Sequence, residues 1–220
     1  MKSITLLLAA ALLCSGAAEA RRAKPSGEPG QFDYYALSLS WSPAFCAQNG
    51  ERDPNQCGGG RRLGFVLHGL WPQYEKGYPQ SCSREKLPDA VRRKYEGIYP
   101  SQKLIGHEWD KHGTCSGLEP ERYLALSARL KDALAIPAAY QKPEQPVRVT
   151  IGQFQDAFRA ANPGLADNGL VPFCTGAGRF LREVHACYTQ DGKSRACAAD
   201  EVKRSRKSCG QPSFLLQSVR

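Results

Sequence analysis

Apolar and polar residues alternate along the first part of the chain after its N-terminal segment. The stretch FDYYALSLSW, residues 32–41, alternates in this way and is rich in aromatic residues, which is typical of a β-strand. Residues 63–67 form a short apolar run and are predicted to be a buried strand. We expect this strand to end at His68, where Gly69 permits a sharp turn.

Helical signals follow in the middle of the chain. Residues 85–95 and 119–134 are both predicted to be helical, and Pro120 suits the first turn of the second helix. Thr150 and Gln153 have the spacing of a capping box ahead of an apolar run, which predicts the start of a third helix.

The C-terminal third has the character of β-structure. FLREVHACY, a turn at Asp191 and Gly192, and SRAC indicate a hairpin. Strands at both ends of the chain with helices between them predict a single α+β domain, in which helices pack around a central antiparallel sheet.

The first twenty residues are predicted to be a signal peptide. Lys2 precedes an apolar run over residues 4–13, and Ala18-Glu19-Ala20 has the small-x-small form of a cleavage site. We therefore expect an exported, periplasmic or extracellular protein that does not insert into a membrane. Residues 21–31 are expected to be a flexible N-terminal lead-in, and residues 32–220 the catalytic domain.

Cysteine content and charge narrow the class of protein. Of nine cysteines, Cys14 lies in the signal segment, and the remaining eight in an exported chain predict four disulfides rather than a zinc site. The net charge is +9, and removal of one Lys and one Glu with the signal leaves it unchanged. Such an excess of positive charge attracts polyanions, among them RNA, DNA, anionic lipid and acidic glycans.

The segment HEWDKHGTC, residues 107–115, concentrates reactive side chains. Its histidines are five residues apart, so they lack the one-turn spacing of the zinc-protease motif. Two other pairs, Glu108 with His112 and His107 with Lys111, are four residues apart and would share a helix face. Taken alone, the segment is also compatible with a surface helix that carries scattered charges.

A second dense segment, FVLHGLWPQY, supplies His68 and Trp71. Alone it is compatible with an edge strand and a buried tryptophan. Together, the two segments contain what metal-independent RNA cleavage requires. Two histidines would transfer protons, a lysine would stabilise the anionic transition state, a carboxylate would orient an imidazole, and an aromatic ring would stack on a base.

These two segments resemble the active-site signatures of the ribonuclease T2 family, LHGLWPQ and HEWDKHGTC. The likeness extends over residues 32–209, through FDYYALSLSWSPAFC, VPFC and EVHACYTQDGKSRAC. It implies an α+β fold and an exported, low-specificity endoribonuclease that needs no cofactor. The implied reaction is attack by the 2′-hydroxyl, which gives a 2′,3′-cyclic phosphate and then a 3′-phosphate.

The resemblance also implies residue roles. His112 would be the base and His68 the acid, although sequence alone leaves these two labels interchangeable. Glu108, Lys111 and His107 would hold the phosphate and its transition state. The residues that would line the base pocket are Trp71, Gln73 and Tyr74.

Four disulfide pairs are expected. Cys46–Cys57 would close a polar turn, Cys187–Cys197 would join the C-terminal hairpin, and Cys174–Cys209 would remain. Cys82–Cys115 would tie the second signature to the loop before it, a pairing that the resemblance also implies.

Base preference does not follow from the resemblance. Many plant relatives have glutamine where this chain has Ser40, and some fungal relatives have aspartate at Gln73. His185, the histidine outside both signatures, is expected to be structural or solvated and lies outside the predicted site. Strand alternation places it on the same face as Leu181, Glu183 and Cys187.

Two other classes of protein remain as alternatives. A cationic binding protein would hold polyanions without turnover, but both signature histidines are present. A metal-dependent nuclease would need clustered carboxylates, whereas Glu108 and Asp110 would point to different sides of a helix. We therefore expect a monomer that cleaves single-stranded RNA and binds DNA weakly without cleaving it.

Overall fold

The computed structural model describes residues 26–50 and 52–219. The predicted signal peptide and the first part of the predicted lead-in lie outside these residues. The described residues form six strands and eight α-helices: β1 (Tyr34–Trp41), α1 (Ser42–Asn49), α2 (Pro54–Cys57), β2 (Phe65–Gln73), α3 (Asp89–Tyr95), α4 (Gln102–Lys111), α5 (Pro120–Ala133), α6 (Ala138–Gln141), β3 (Val147–Val149), α7 (Ile151–Ala161), β4 (Leu170–Thr175), β5 (Phe180–Tyr188), α8 (Ala199–Ser208) and β6 (Phe214–Leu216).

The six strands form one sheet in the order β2-β1-β5-β6-β3, and β4 pairs with the other edge of β5. The pairings are antiparallel except for a parallel contact between β5 and β6 at Phe180 and Leu215. The predicted α+β class and its sheet with packed helices are confirmed. Strand β5 is central because it pairs with both β1 and β4.

The main core lies on one face of the sheet. Leu37 and Leu39 of β1 and Leu67 and Leu70 of β2 are fully or almost fully buried there. Helices α4, α5 and α7 contribute apolar side chains to the same core. Burial of these apolar surfaces removes them from water, which is the dominant favourable term in folding.

The opposite face carries a smaller apolar cluster, covered by α8. Tyr34 and Ala36 of β1 lie there with Val171 and Phe173 of β4. Polar residues of β1 and β5 occupy the rest of this face. The sheet therefore has one apolar face, which forms the core, and one mixed face, on which charged side chains can be placed.

Strand β2 departs from the predicted boundaries. It continues to Gln73, so His68 and Gly69 lie inside the strand and not at its end. The expected sharp turn at Gly69 was wrong, because pairing with β1 continues on both sides of it. Helix α8 forms over residues 199–208, where no helix was predicted.

The helix predictions were closer. Helix α5 begins one residue after the predicted start and ends one residue before the predicted end, with Pro120 in its first turn as expected. Helix α3 begins later than predicted, after Pro88. The capping box of Thr150 and Gln153 is present in both directions, which confirms that prediction.

The described part of the chain contains four disulfides: Cys46–Cys57, Cys82–Cys115, Cys174–Cys209 and Cys187–Cys197. These are the expected pairs. Cys82–Cys115 fixes the segment that follows α4 to the loop after β2. Two of the disulfides join elements on the mixed face of the sheet. Cys174–Cys209 joins β4 to the C-terminal end of α8, and Cys187–Cys197 joins β5 to the segment that precedes α8.

Part of the predicted lead-in lies against the domain. Ser26 and Gln80 exchange two backbone hydrogen bonds, and the Gly30 N–H donates to the carbonyl of Cys115. Within residues 26–50 and 52–219, no helix is both long and apolar enough to cross a membrane.

Candidate active site

A β-bulge in β2 carries His68. Ser38 of β1 pairs with Gly69, and the next residue, Leu39, pairs with Leu67, so His68 is the extra residue. A bulge bends a strand and re-aims the side chain at that point. The His68 side chain is about one-third exposed, at 35%, so its ring is accessible to solvent.

Helix α4 brings Glu108 against β2. Gly69 makes this close approach possible, because a Cβ atom there would lie 1.9 Å from Glu108 Oε2 and 2.4 Å from Trp71 Nε1. Trp71 Nε1 donates a hydrogen bond of 2.7 Å to Glu108 Oε2. The other carboxylate oxygen, Oε1, lies 4.0 Å from His68 Nε2. The two sequence signatures therefore meet at Glu108.

Burial controls the ionisation of Glu108. Its side chain is 1% exposed, and this desolvation raises its pKa to about 7 even though His68, the Trp71 hydrogen bond and Lys111 act in the opposite direction. A carboxyl group with this pKa is protonated in mild acid. It then carries no charge and can donate a hydrogen bond.

His112 lies just beyond the helix, as the C-terminal cap of α4. The ring is buried and stacks on Trp71, with centroids 5.1 Å apart and planes inclined by 26°. Burial, together with the nearby charges of Lys111, His107 and His68, holds the pKa of His112 well below its ordinary value. His112 is therefore neutral at neutral pH. Its Nδ1 has no hydrogen-bond partner among the described residues.

His107 and Lys111 lie one turn apart on the more accessible part of α4. His107 is exposed at the surface, and partial desolvation and the charge of Lys111 lower its pKa. Lys111 is half-buried, and its Nζ lies 6.0 Å from the centre of the Tyr78 ring. The four predicted residues of HEWDKHGTC thus divide into a buried pair and an accessible pair.

The three residues predicted to line the base pocket differ in their contacts and in their burial. Trp71 contacts both histidine rings, since the His68 ring centre is also 5.0 Å away, with its plane inclined by 77°. Gln73 is buried, and its amide donates to the carbonyl of Pro72. Tyr74 is half-buried and packs against the main core.

Tyr78 is an aromatic residue near the site that was not predicted from the sequence. Its side chain is 43% exposed, which makes it the large hydrophobic residue most open to solvent among the described residues. Its ring centre lies 6.2 Å from that of His112. The sequence feature that could have indicated Tyr78 is the Gly-containing turn after the first signature, because this turn returns the chain towards the site.

A cleft of about 320 Å³ opens beside His68 and His107. Arg52 and Lys103 line it, together with the apolar side chains of Phe45 and Leu104. A cleft with cationic and apolar walls suits a ligand that combines a planar ring with a phosphate.

Strand β5 lies behind His68 and contributes Glu183 and His185. His68 Nδ1 is 3.3 Å from Glu183 Oε2, within hydrogen-bond distance. His185 is buried beside Glu183 and Trp71, which excludes the solvated role considered for it. Glu183 and His185 share a face, as strand alternation predicted, whereas Leu181 belongs to the main core.

The arrangement is suited to proton transfer next to an anion. One buried neutral imidazole and one accessible imidazole pack against the same indole, and a cation and a carboxyl group of raised pKa lie beside them. Among residues 26–50 and 52–219, no group of three or more His, Cys, Asp or Glu side chains is arranged to hold a metal ion.

Comparisons with known proteins agree with one another. The model of the Ribonuclease T2 family matches residues 32–197. A ribonuclease of Aeromonas hydrophila is 46% identical over the whole length of both chains. Ribonuclease DdI of Dictyostelium discoideum is 30% identical over 64% of this chain and 67% of its own.

Solved structures show the same fold. Trichomaglin, described as an S-like ribonuclease, superposes with a TM-score of 0.67 at 20% identity, over 86% of this chain and 100% of its own. An RNase-related protein from Calystegia sepium gives a TM-score of 0.62 at 19% identity, over 76% and 91%.

Gly69→Ala tests the close approach of α4 to β2. The added methyl group would collide with Glu108 and Trp71, so we expect a loss of about 1–3 kcal/mol in the free energy of unfolding, as in overpacked cores. Gly97→Ala is the control, because nothing lies within 4 Å of its Cβ position. Urea unfolding measures both variants. Equal stability of the two variants would contradict the close approach.

Glu108→Gln tests the raised pKa. An unfolded glutamate loses its proton near pH 4.5 and the folded one near pH 7, so the stability of the unmodified protein falls across this window as pH rises. Glutamine does not ionise. We expect the variant to be more stable at pH 8 by about 1–3 kcal/mol, with the difference shrinking towards pH 4.

Urea unfolding at several pH values measures this difference. Glu121→Gln, a substitution of an exposed glutamate, should change stability little at any pH. A stability difference for Glu108→Gln that does not depend on pH would show that Glu108 does not titrate in this window.

Proposed function

This chain belongs to the ribonuclease T2 family, and we propose that it cleaves single-stranded RNA by metal-independent transphosphorylation. One observation supports this most strongly: His68 and His112 both pack against Trp71 but lie in different environments, one accessible and one buried and neutral. RNA cleavage needs one group that accepts a proton and one that donates a proton at the same time.

His112 is the base in this proposal. A general base must be unprotonated before reaction, and the lowered pKa of His112 keeps it neutral. It would take the proton of the 2′-hydroxyl as that oxygen attacks phosphorus. Stacking on Trp71 fixes the plane of the ring during this step.

His68 is the acid. It would give its proton to the departing 5′-oxygen, which leaves a 2′,3′-cyclic phosphate on the upstream fragment. Glu183 Oε2 and Glu108 Oε1 face its two ring nitrogens, at 3.3 Å from Nδ1 and 4.0 Å from Nε2. Hydrolysis of the cyclic phosphate to a 3′-phosphate would use the same two histidines in reversed roles.

Glu108, Lys111 and His107 surround the expected position of the phosphate. Lys111 supplies positive charge to the transition state, which gathers negative charge on the phosphate oxygens. A protonated Glu108 would donate a hydrogen bond to the phosphate without repelling it. His107 lies at the exposed rim and contributes to binding.

Aromatic residues supply the base-binding surface. The exposed Tyr78 can stack on an unpaired base, which contributes to binding of single strands with little sequence preference. The half-buried Trp71 would line the same surface. Gln73 and Tyr74 would support this surface from beneath it, because both are covered. The cleft beside His68 would receive the neighbouring nucleotide.

Activity should follow a bell-shaped dependence on pH, because one histidine must be neutral while the other is protonated. The maximum is expected in mild acid or near neutrality, where Glu108 keeps its proton. No metal ion or cofactor takes part. The protein is proposed to be an exported monomer, periplasmic or extracellular, with residues 32–220 as its catalytic domain.

The substrate test compares RNA with DNA in the presence of EDTA. The nucleophile is the 2′-oxygen of the substrate, so DNA lacks the attacking group. We expect cleavage of a single-stranded RNA with cyclic-phosphate ends, and no cleavage of DNA of the same sequence. DNA should still bind, and binding should weaken as salt rises, because a charge of +9 attracts phosphates of either polymer.

Mass spectrometry of the product ends and a filter-binding assay measure these outcomes. Duplex RNA is the control for geometry, since its 2′-hydroxyl is not free to align behind phosphorus, and it should resist cleavage. Cleavage of DNA, or loss of RNA cleavage on chelation, would rule out the mechanism.

Substitution of the two histidines tests their roles directly. His68→Ala and His112→Ala should each lower kcat by about 10²–10⁴-fold, the usual contribution of a general acid or base. His107→Ala is the comparison, because this exposed residue should affect KM more than kcat. Circular dichroism and steady-state kinetics measure fold and turnover. Near-normal kcat in either of the first two variants would remove that residue from the chemistry.

A further inference from the structure

A buried series of charged side chains leads from α8 through β5 to His68. Glu183 and His185 are two residues apart in β5, so both project from the mixed face of the sheet. Glu201 lies in the first turn of α8, where the helix dipole favours a negative charge. The three side chains are almost fully buried, at 8%, 6% and 1% exposure.

Each oxygen of Glu183 faces a different imidazole. Oε2 is 3.3 Å from His68 Nδ1, and Oε1 is 3.3 Å from His185 Nε2. The other ring nitrogen of His185, Nδ1, pairs with Glu201 Oε1. Glu201 is held in turn by Arg204 of the same helix. Glu183 therefore links the accessible histidine to an entirely buried one.

The contacts within this series determine the ionisation of Glu183 and His185. Burial alone would raise the pKa of Glu183, but His185, His68 and Arg182 outweigh it and hold this pKa well below its usual range. Burial would lower the pKa of His185, but Glu183 and Glu201 outweigh it and raise the pKa to about 9. At neutral pH, His185 is thus a buried cation between two carboxylates.

This arrangement gives the two nitrogens of His68 different tasks. An ionised carboxylate can only accept a hydrogen bond, so Glu183 requires the proton of neutral His68 to lie on Nδ1. Nε2 then faces Glu108 and the expected phosphate position. The hydrogen bond at one ring nitrogen decides which form the other takes.

We propose that Glu183 is a positioning residue for His68, which fixes its ring orientation and tautomer, and that His185 holds Glu183 in place from behind. The role in turnover rests on the proposed function. The role in fixing the tautomer does not.

Stability alone does not account for the series. Replacing a buried ion pair with apolar side chains of similar volume is often neutral or stabilising, so buried charges of this kind need not be retained for folding. Arg182 already pairs with Glu183 Oε1 from the more exposed side, at 2.6 Å. The contact of Oε2 with His68 is therefore additional to the ion pairs that neutralise the carboxylate.

Several other groups set the charge around His68 and enter any dependence on pH. From α4 and its C-terminal cap, these are Glu108, His107, Lys111 and His112. From the cleft wall and β5, they are Arg52, Asp53, Lys103 and Arg182. Only Glu183 and Glu108 lie within 4.0 Å of an imidazole nitrogen of His68 as ion-pair partners among the described residues.

Glu183→Gln tests the proposal, because glutamine keeps the shape and removes the charge. We expect kcat to fall by about 10–100-fold with a smaller change in KM, a range common for residues that orient a reacting group. The alkaline limb of the pH profile should move to lower pH, since the imidazolium loses a facing carboxylate. Glu75→Gln, which alters an exposed ion pair with Arg195, is the control and should leave all three quantities unchanged.

Nitrogen-15 NMR of the labelled imidazoles gives an independent measurement on the unmodified protein. Neutral His68 should carry its proton on Nδ1, and the Nε2-protonated form should gain population in Glu183→Gln. A neutral His68 protonated on Nε2 in the unmodified protein would overturn the proposal even if the variant did not fold. A folded variant with unchanged kcat, pH profile and tautomer would also overturn it.

The two proposals fail in different ways. Absence of RNA cleavage by the unmodified protein, with His68 still protonated on Nδ1, would reject the proposed function and leave the positioning role intact. Cleavage by the unmodified protein with no response to Glu183→Gln would reject the positioning role alone.

Discussion

The hydrogen bond from the Trp71 indole to the Glu108 carboxylate joins the two halves of the site. It is possible only because Gly69 has no side chain, which allows α4 to approach β2 closely. One imidazole from the strand and one from the end of the helix pack against this indole. The raised pKa of Glu108 has the same origin, since the contact that orders the carboxyl group also removes it from water.

Much of the fold and part of the site could be predicted from local sequence. The α+β class, the first strand, helix α5, the capping box and the even cysteine count follow from short-range patterns, and residues 107–112 and His68 follow from two dense motifs. Helix α8 could not be recognised in this way, because its sequence is polar and it gains its place by packing on β4.

The residues behind the site were beyond prediction for a related reason. Glu183 is 115 positions from His68 in sequence, and only the pairing of β1 with both β2 and β5 brings them together. The outward position of Tyr78 and the burial of Gln73 likewise depend on how the turn after β2 folds back. Local sequence patterns indicate which face of a strand or helix a side chain occupies, but they do not indicate which residues from distant parts of the chain it contacts.

The bulge in β2 changes the spacing of apolar residues in the sequence of this strand. Leu67 and Leu70 are three residues apart, and strict alternation would send them to opposite faces, yet both are buried in the main core opposite Leu39 and Leu37. The two-residue repeat changes phase at His68. Deleting one residue between the leucines would restore a regular ladder and keep an intact apolar core, but the imidazole would lose its place. The position of the His68 side chain therefore depends on the number of residues in β2 as well as on the presence of a histidine at position 68.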